Sequence, residues 1–436
     1  MARSTTSAAL LPVYALGLAA RYWVPLLCVH TVGMLVHALL MRGLVRLADV
    51  EQTLSTAGLG LTLLVTLVTF VVMFQLLRPG LPTIDAELSS EVVRRDGKRG
   101  FAERERRVVD GVALAILPFL LFYAAWGLIR EQYDLYSIAL INSGGLEAFE
   151  APLKVPWYGL PLIVAVSAWL LRKLTSHFYR KRHSAVLGVL TALFEGVWVF
   201  MFLFSLGLAI TQAETWLTGR VFWVDIRTGV TGLVDGAGAL VGLPDLHAQA
   251  QVWWAGVWKA FSTGFVGPLL WLTIAAVVYR AQVGDHDSVF EARRERDGFD
   301  RAVNRVAGAG RFFDRFVGGD LRDQVYPCLN ALRFVLRVGP VFYLSYSLCF
   351  VLLEVAFTRL HRLVFVLGGP GPLHAQWWPW LQPIDFAVDS LHMLLRVCLL
   401  AAAFEIALRK AEEDSVGRRV RRTARHVSPH GSRHAR

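Results

Sequence analysis

The chain has 436 residues, 55% of them hydrophobic, with 45 Lys and Arg against 34 Asp and Glu for a net charge of +11. A soluble chain of this length would form two or three domains, but here the apolar residues arrive in blocks of about twenty, the length that crosses a bilayer as a helix. Four cysteines, Cys28, Cys328, Cys349 and Cys398, lie in or beside those blocks without CxxC spacing, which argues against a disulfide framework or a thiolate metal site.

Taken in chain order, residues 8 to 20 form an apolar run too short to span, followed at once by a longer block. This arrangement fits a secretory signal poorly and predicts an interfacial lead-in to the first crossing helix. Crossing helices are predicted near residues 24 to 41, 57 to 77, 109 to 129, 156 to 171, 186 to 210, 255 to 279, 336 to 357 and 384 to 408. The fold class is therefore all-α, a polytopic bundle of about eight transmembrane helices over residues 1–408. With a cytoplasmic N-terminus, the inner segments hold 33 Lys and Arg and the outer loops 8. By the positive-inside rule both termini are cytoplasmic. Arginine outnumbers lysine 39 to 6, as in a GC-rich genome, and the chain reads as a bacterial multi-pass protein of the cell (plasma or inner) membrane.

The first block carries His30 and His37, seven residues apart and on one face. Haem or metal ligands would need partners on another helix, so hydrogen-bonded interior histidines are the preferred reading, with no metal and no cofactor expected. The outer loop before the sixth block holds "TGVTGLVDGAGALVGLPD", too short to cross. A helix at the outer surface is preferred there over a re-entrant hairpin. Trp157, Trp216, Trp223, Trp253, Trp254, Trp258, Trp377, Trp378 and Trp380 fall in or next to outer loops, as an interfacial aromatic belt would; a stacking platform for a sugar or lipid headgroup is the alternative.

The inner loop from 282 to 324 contains "FDRAVNRVAGAGRFFDRFVGG", an amphipathic segment about 290–318 expected on the anionic cytoplasmic leaflet, or as a docking site for a soluble partner. Residues 409–436 form a basic tail, expected to be disordered near anionic lipid. In it His426, His430 and His434 recur every four residues, but Pro429 and Gly431 oppose the helix a metal face would need. Expected partners are the bilayer, anionic lipids at these basic segments, and a small solute, proton or lipid; nucleic acid is not among them.

The chemistry concentrates in the last block, "PIDFAVDSLHMLLRVCLLAAAFEIAL". Asp385, Asp389, His392 and Arg396 are spaced four, three and four residues apart, which puts them on one helix face. The apolar residues of this block favour insertion by about 5 kcal/mol, whereas each charge near the centre costs about 2.5–3.5 kcal/mol. The stripe must therefore face neighbouring helices or water. Glu195, in "LTALFEGVWVFMF", lies at a depth within about 4–5 Å of Arg396 on a helical rise, and a Glu195–Arg396 ion pair is predicted. Glu354 joins Asp385, Asp389 and His392 in an outer grouping able to take up a proton or cation. Arg333, Arg337 and Glu405 suggest an inner charge closure.

No GxxxxGK[ST], GxSxG or HExxH motif is present, nor paired aspartate-rich motifs for a prenyl diphosphate. A non-enzymatic role is preferred: a transporter or ion pathway through Glu195, Glu354, Asp385, Asp389, His392 and Arg396. The alternatives are a membrane scaffold whose charges are structural, and an outer-leaflet enzyme for a lipid or lipid-linked sugar using Asp389 and His392 as an acid/base pair.

Overall fold

The computed structural model describes residues 10–84, 119–120, 128–144, 159–182, 185–240, 246–283, 339–372 and 377–426, with 411–426 given as backbone alone. Among the described residues every regular element is helical. The first, α1, runs from Leu11 to Ala48 with Pro25 inside it. The lead-in expected over residues 8 to 20 is thus continuous with the crossing block from Leu11 onward. At 1.5 Å per residue α1 is roughly 57 Å long, well beyond a hydrocarbon core of about 30 Å.

Helix α2 (Gln52–Leu77) is followed by a 3-10 turn, Arg78–Gly80, and by helical residues 82–84. Apolar on all faces, α2 would be marred by its threonines were their hydroxyls left bare. Instead Thr62, Thr66 and Thr69 donate to the carbonyls of Leu59, Thr62 and Val65 within the same helix, so that the hydroxyls are satisfied locally. Next come α3 (Leu128–Gly144), α4 (Gly159–Arg182), α5 (Ala185–Thr218) and α6 (Val221–Leu240). Helix α7 has two α-helical parts, Leu246–Phe261 and Gly267–Val283, joined by a π-helical turn at Ser262–Val266. Finally α8 (Pro340–Gly368) is bounded by two glycines at positive φ, Gly339 at 114° and Gly369 at 73°, and α9 runs from Trp378 to His426. Pro340 opens α8 where its missing N–H costs no helical bond, and Gly369 adopts a backbone conformation that a side chain would strain.

Among the described residues six helices are long and apolar enough to cross a membrane: Leu11–Ala48, Gln52–Gly80, Val186–Thr218, His247–Tyr279, Pro340–Gly368 and Trp378–Lys410. They match six of the eight predicted blocks, and their length and composition are those of a multi-pass membrane protein. The block at 156 to 171 does form a helix, α4, but its second half carries Arg172, Lys173, Lys181 and Arg182. The block at 109 to 129 falls largely outside the described residues, as do the amphipathic segment about 290–318 and Arg333 and Arg337. The glycine-rich stretch before the sixth block is helical as far as Leu240, within α6. Asp235 of α6 accepts the backbone N–H of His247 at 3.0 Å and stands 3.2 Å from its ring, tying α6 to the first turn of α7.

The chain divides into two compact units, one of Met1–Leu27, Met73–Gly100 and Trp271–Arg436, the other of Cys28–Val72 and Phe101–Leu270. In the second, α2 and α5 meet backbone to backbone. A Cβ at Gly60 would stand 3.2 Å from both the Gly196 carbonyl oxygen and Val197 Cα, tighter than an ordinary contact, so glycine favours that approach, the small-residue packing common between membrane helices. Ser55 donates to the Leu44 carbonyl and shares a 2.6 Å hydrogen bond with the Tyr136 hydroxyl. In the first unit Tyr279 is buried between Phe74, edge-on at 5.4 Å, and Phe404, stacked at 5.3 Å, and its hydroxyl donates to the Phe74 carbonyl. Val397, Leu400 and Ala401 to Ala403 of α9 complete that core.

Candidate functional site

Helices α8 and α9 pack antiparallel within the first unit, and the ionisable residues of the last apolar block meet α8 there. Arg396 donates from Nη2 to Glu354 Oε1 at 2.5 Å. His392 Nε2 lies 3.3 Å from that same Glu354 oxygen and 3.3 Å from Arg396 Nη2. One imidazole nitrogen therefore faces an acceptor and a donor at equal distance, and its protonation decides which it bonds. Bare, Nε2 accepts from the guanidinium; carrying a proton, in the neutral Nε2–H tautomer or in the imidazolium, it donates to the carboxylate.

Aromatic rings enclose this cluster. Phe357 stacks on His392 with centroids 4.8 Å apart, and the Arg396 guanidinium lies 5.3 Å from the Trp271 ring and 5.8 Å from that of Phe350. Rings on both the cation and the imidazole keep water scarce, which strengthens the charge–charge contacts. Arg396 Nε is buried and has no hydrogen-bond partner among the described residues.

A second pair stands on the same two helices. His361 Nε2 is 2.6 Å from Asp385 Oδ1, and their side chains are 41% and 49% exposed, against 17% and 27% for His392 and Glu354. His361 escaped sequence reasoning because the seventh block was ended at 357, where Arg359 and Arg362 interrupt the hydropathy. The helix continues to Gly368. The seven-residue spacing of Glu354 and His361, matching that of Asp385 and His392, was the signal available.

Asp389, between Asp385 and His392 on the stripe, is exposed and has no partner among the described residues. No hydrogen bond joins it to His392 among the described residues. The predicted Glu195–Arg396 pair gives way to two others. Glu195 lies buried in the second unit, 3.3 Å from Arg172 of α4, and Arg396 has Glu354. The predicted block ends at 171, one residue short of Arg172, whereas α4 extends through it to Arg182.

Glu405, expected in an inner charge closure with Arg333 and Arg337, which lie outside the described residues, has its carboxylate on backbone. Oε1 accepts the N–H of Thr83 at 2.8 Å and Oε2 that of Ile84 at 3.2 Å. Those amides open the helical residues 82–84, so a buried carboxylate satisfies donors that have no intrahelical partner. His30 is buried as expected, and His37 Nε2 lies 3.4 Å from Gln132 Oε1. No grouping of three or more metal-ligating side chains occurs among the described residues, and Cys28, Cys349 and Cys398 are free thiols. Trp216, Trp253, Trp254, Trp258, Trp378 and Trp380 are each more than half exposed.

No family model, no curated protein and no solved structure matches this chain. The class defined by the fold is a multi-pass helical membrane protein, and its function is argued from the α8–α9 site.

Proposed function

We propose that this protein is a transporter or ion pathway of the cell membrane, with about eight crossings and both ends in the cytoplasm, in which Glu354, His392 and Arg396 form the step that moves charge. The supporting observation is His392 Nε2, placed 3.3 Å from both a carboxylate oxygen and a guanidinium nitrogen. A purely structural ion pair needs no third group able to exchange partners on protonation; a charge-moving step does. The charge bias of 33 against 8 supports the orientation. Anionic lipid is the proposed partner of the basic inner segment and tail.

The test is proton uptake into potassium-loaded proteoliposomes polarised with valinomycin and followed by a trapped pH dye. Wild type acidifies the lumen faster than protein-free vesicles, and Glu354→Gln and His392→Gln return the rate to that background while the protein stays monodisperse. A wild-type rate equal to background rejects the reading. The scaffold alternative draws support from Glu195 and Glu405, both buried and satisfied by Arg172 and by backbone amides, as structural charges should be. It predicts that background rate.

A further inference from the structure

Around the two His–carboxylate pairs the sequence repeats itself. On α8 the residues from Glu354 to His361 read "EVAFTRLH", and on α9 those from Asp385 to His392 read "DFAVDSLH". A carboxylate opens each stretch, Ala356 and Ala387 stand third, Leu360 and Leu391 seventh, and a histidine closes each. Eight residues with this much in common can arise by chance, so the similarity alone carries little. The geometry is an independent observation. Each carboxylate bonds the histidine of the other helix, Asp385 with His361 at 2.6 Å and Glu354 with His392 at 3.3 Å. Seven residues separate the two pairs on both helices, so one antiparallel register brings both together, roughly 10 Å apart along the axis. A local two-fold axis relates them.

We infer that α8 and α9 hold two proton-binding sites in series, the His361–Asp385 pair and the His392–Glu354 pair, built from one short element used twice. This rests on the pathway reading above and names the proton as what the pathway carries. The sites differ in surroundings. His361 and Asp385 are nearly half exposed, with Arg359 and Arg362 exposed on α8 and Asp389 one turn along α9. His392 and Glu354 are mostly buried, with Arg396 between them, the ring of Trp271 from α7 on that arginine, and Tyr346 of α8 close enough to feel both charges. The exposed pair is the loading site and the enclosed pair the site that communicates with Arg396.

The proton needs one intermediate, and Asp389 is placed for it, about 6 Å along the helix from Asp385 and about 4.5 Å from His392. A proton leaving the outer pair through water protonates Asp389. From there it reaches one ring nitrogen of His392, and the other ring nitrogen releases its proton to Glu354, leaving the imidazole neutral.

Infrared pH-difference spectra of the protein in lipid vesicles read carboxyl protonation directly, without any flux. Two carboxyl stretches that change with pH are expected, one lost in Asp385→Asn and the other in Glu354→Gln. His361→Gln shifts the Asp385 titration at least tenfold in proton concentration and leaves that of Glu354 in place; His392→Gln does the reverse. Circular dichroism and gel filtration confirm that each variant is folded. Failure of either stretch to titrate in wild type, or a His361→Gln spectrum unchanged at Asp385, overturns the inference. Vesicles that bind protons at both pairs but conduct none would reject the pathway reading and leave the two sites standing; flux without the paired titrations would do the opposite.

Discussion

Two helical hairpins of this molecule each carry an arginine–glutamate pair in an apolar setting, and they differ in what surrounds the charges. Between α4 and α5, Arg172 and Glu195 are 11% and 4% exposed and face each other at 3.3 Å. Between α8 and α9, Arg396 and Glu354 are 16% and 27% exposed and share an imidazole that can bond either. A closed pair solvates its own charges and fixes the helix register. An open one with a histidine in it can change protonation without losing its partners, because the remaining groups still balance the charge. Position in an apolar helix makes a charge expensive, and it is the third group that suggests a use for it.

That contrast can be broken most forcefully at the closed pair. Glu195→Leu removes the buried carboxylate that Arg172 faces and should destabilise the protein by about 3–5 kcal/mol, whereas Arg172→Leu with Glu195→Leu should recover most of that loss. Thermal unfolding in bicelles reads both, and a single variant as stable as wild type would remove the structural assignment. The matching double change at the open pair, Glu354→Leu with Arg396→Leu, should stay folded yet show only background proton uptake.

Smaller effects sharpen the comparison. Glu405→Gln keeps one acceptor for two backbone amides, one of them buried, and should cost about 1–3 kcal/mol in the same measurement, with proton uptake by surviving protein unchanged. Gly60→Val forces α2 off α5 and should cost about 1–3 kcal/mol; thermal unfolding unaffected by the added side chain would mean that the two backbones are not in contact. Smallest in stability is Asp389→Asn, within about 0.5 kcal/mol because the side chain is exposed. Proton uptake should nevertheless fall at least tenfold, and an unchanged rate would take Asp389 out of the path.

Much of the helical scaffold was legible because crossing a bilayer imposes a length and a composition that a sequence displays openly. The stripe from Asp385 to Arg396 was legible for a similar reason, since one face at three- and four-residue spacing follows from the helical repeat. Partners were harder to read. Arg172 and Glu195 come from helices consecutive in the chain, yet the predicted block stopped at 171, one residue short of Arg172, and depth matching then sent Glu195 to Arg396. His361 was lost by the same boundary error, made at two arginines. The partner of Glu405 left no trace in residue type, because backbone amides are identical at every position except proline. Sequence patterns show which face a charge occupies, while the group that answers it is fixed by packing.

The bond from Glu405 to Thr83 and Ile84 joins positions 322 and 321 residues apart. At a ribosomal pace of about 5–20 residues per second, the acceptor is made roughly 15–60 seconds after the donors. For that interval the nascent chain holds two amides whose final ligand does not yet exist, and a translocon, a lipid headgroup or water must occupy them. Stop codons placed ahead of 405 should therefore yield chains that insert but are degraded quickly, while those placed just after it should be spared.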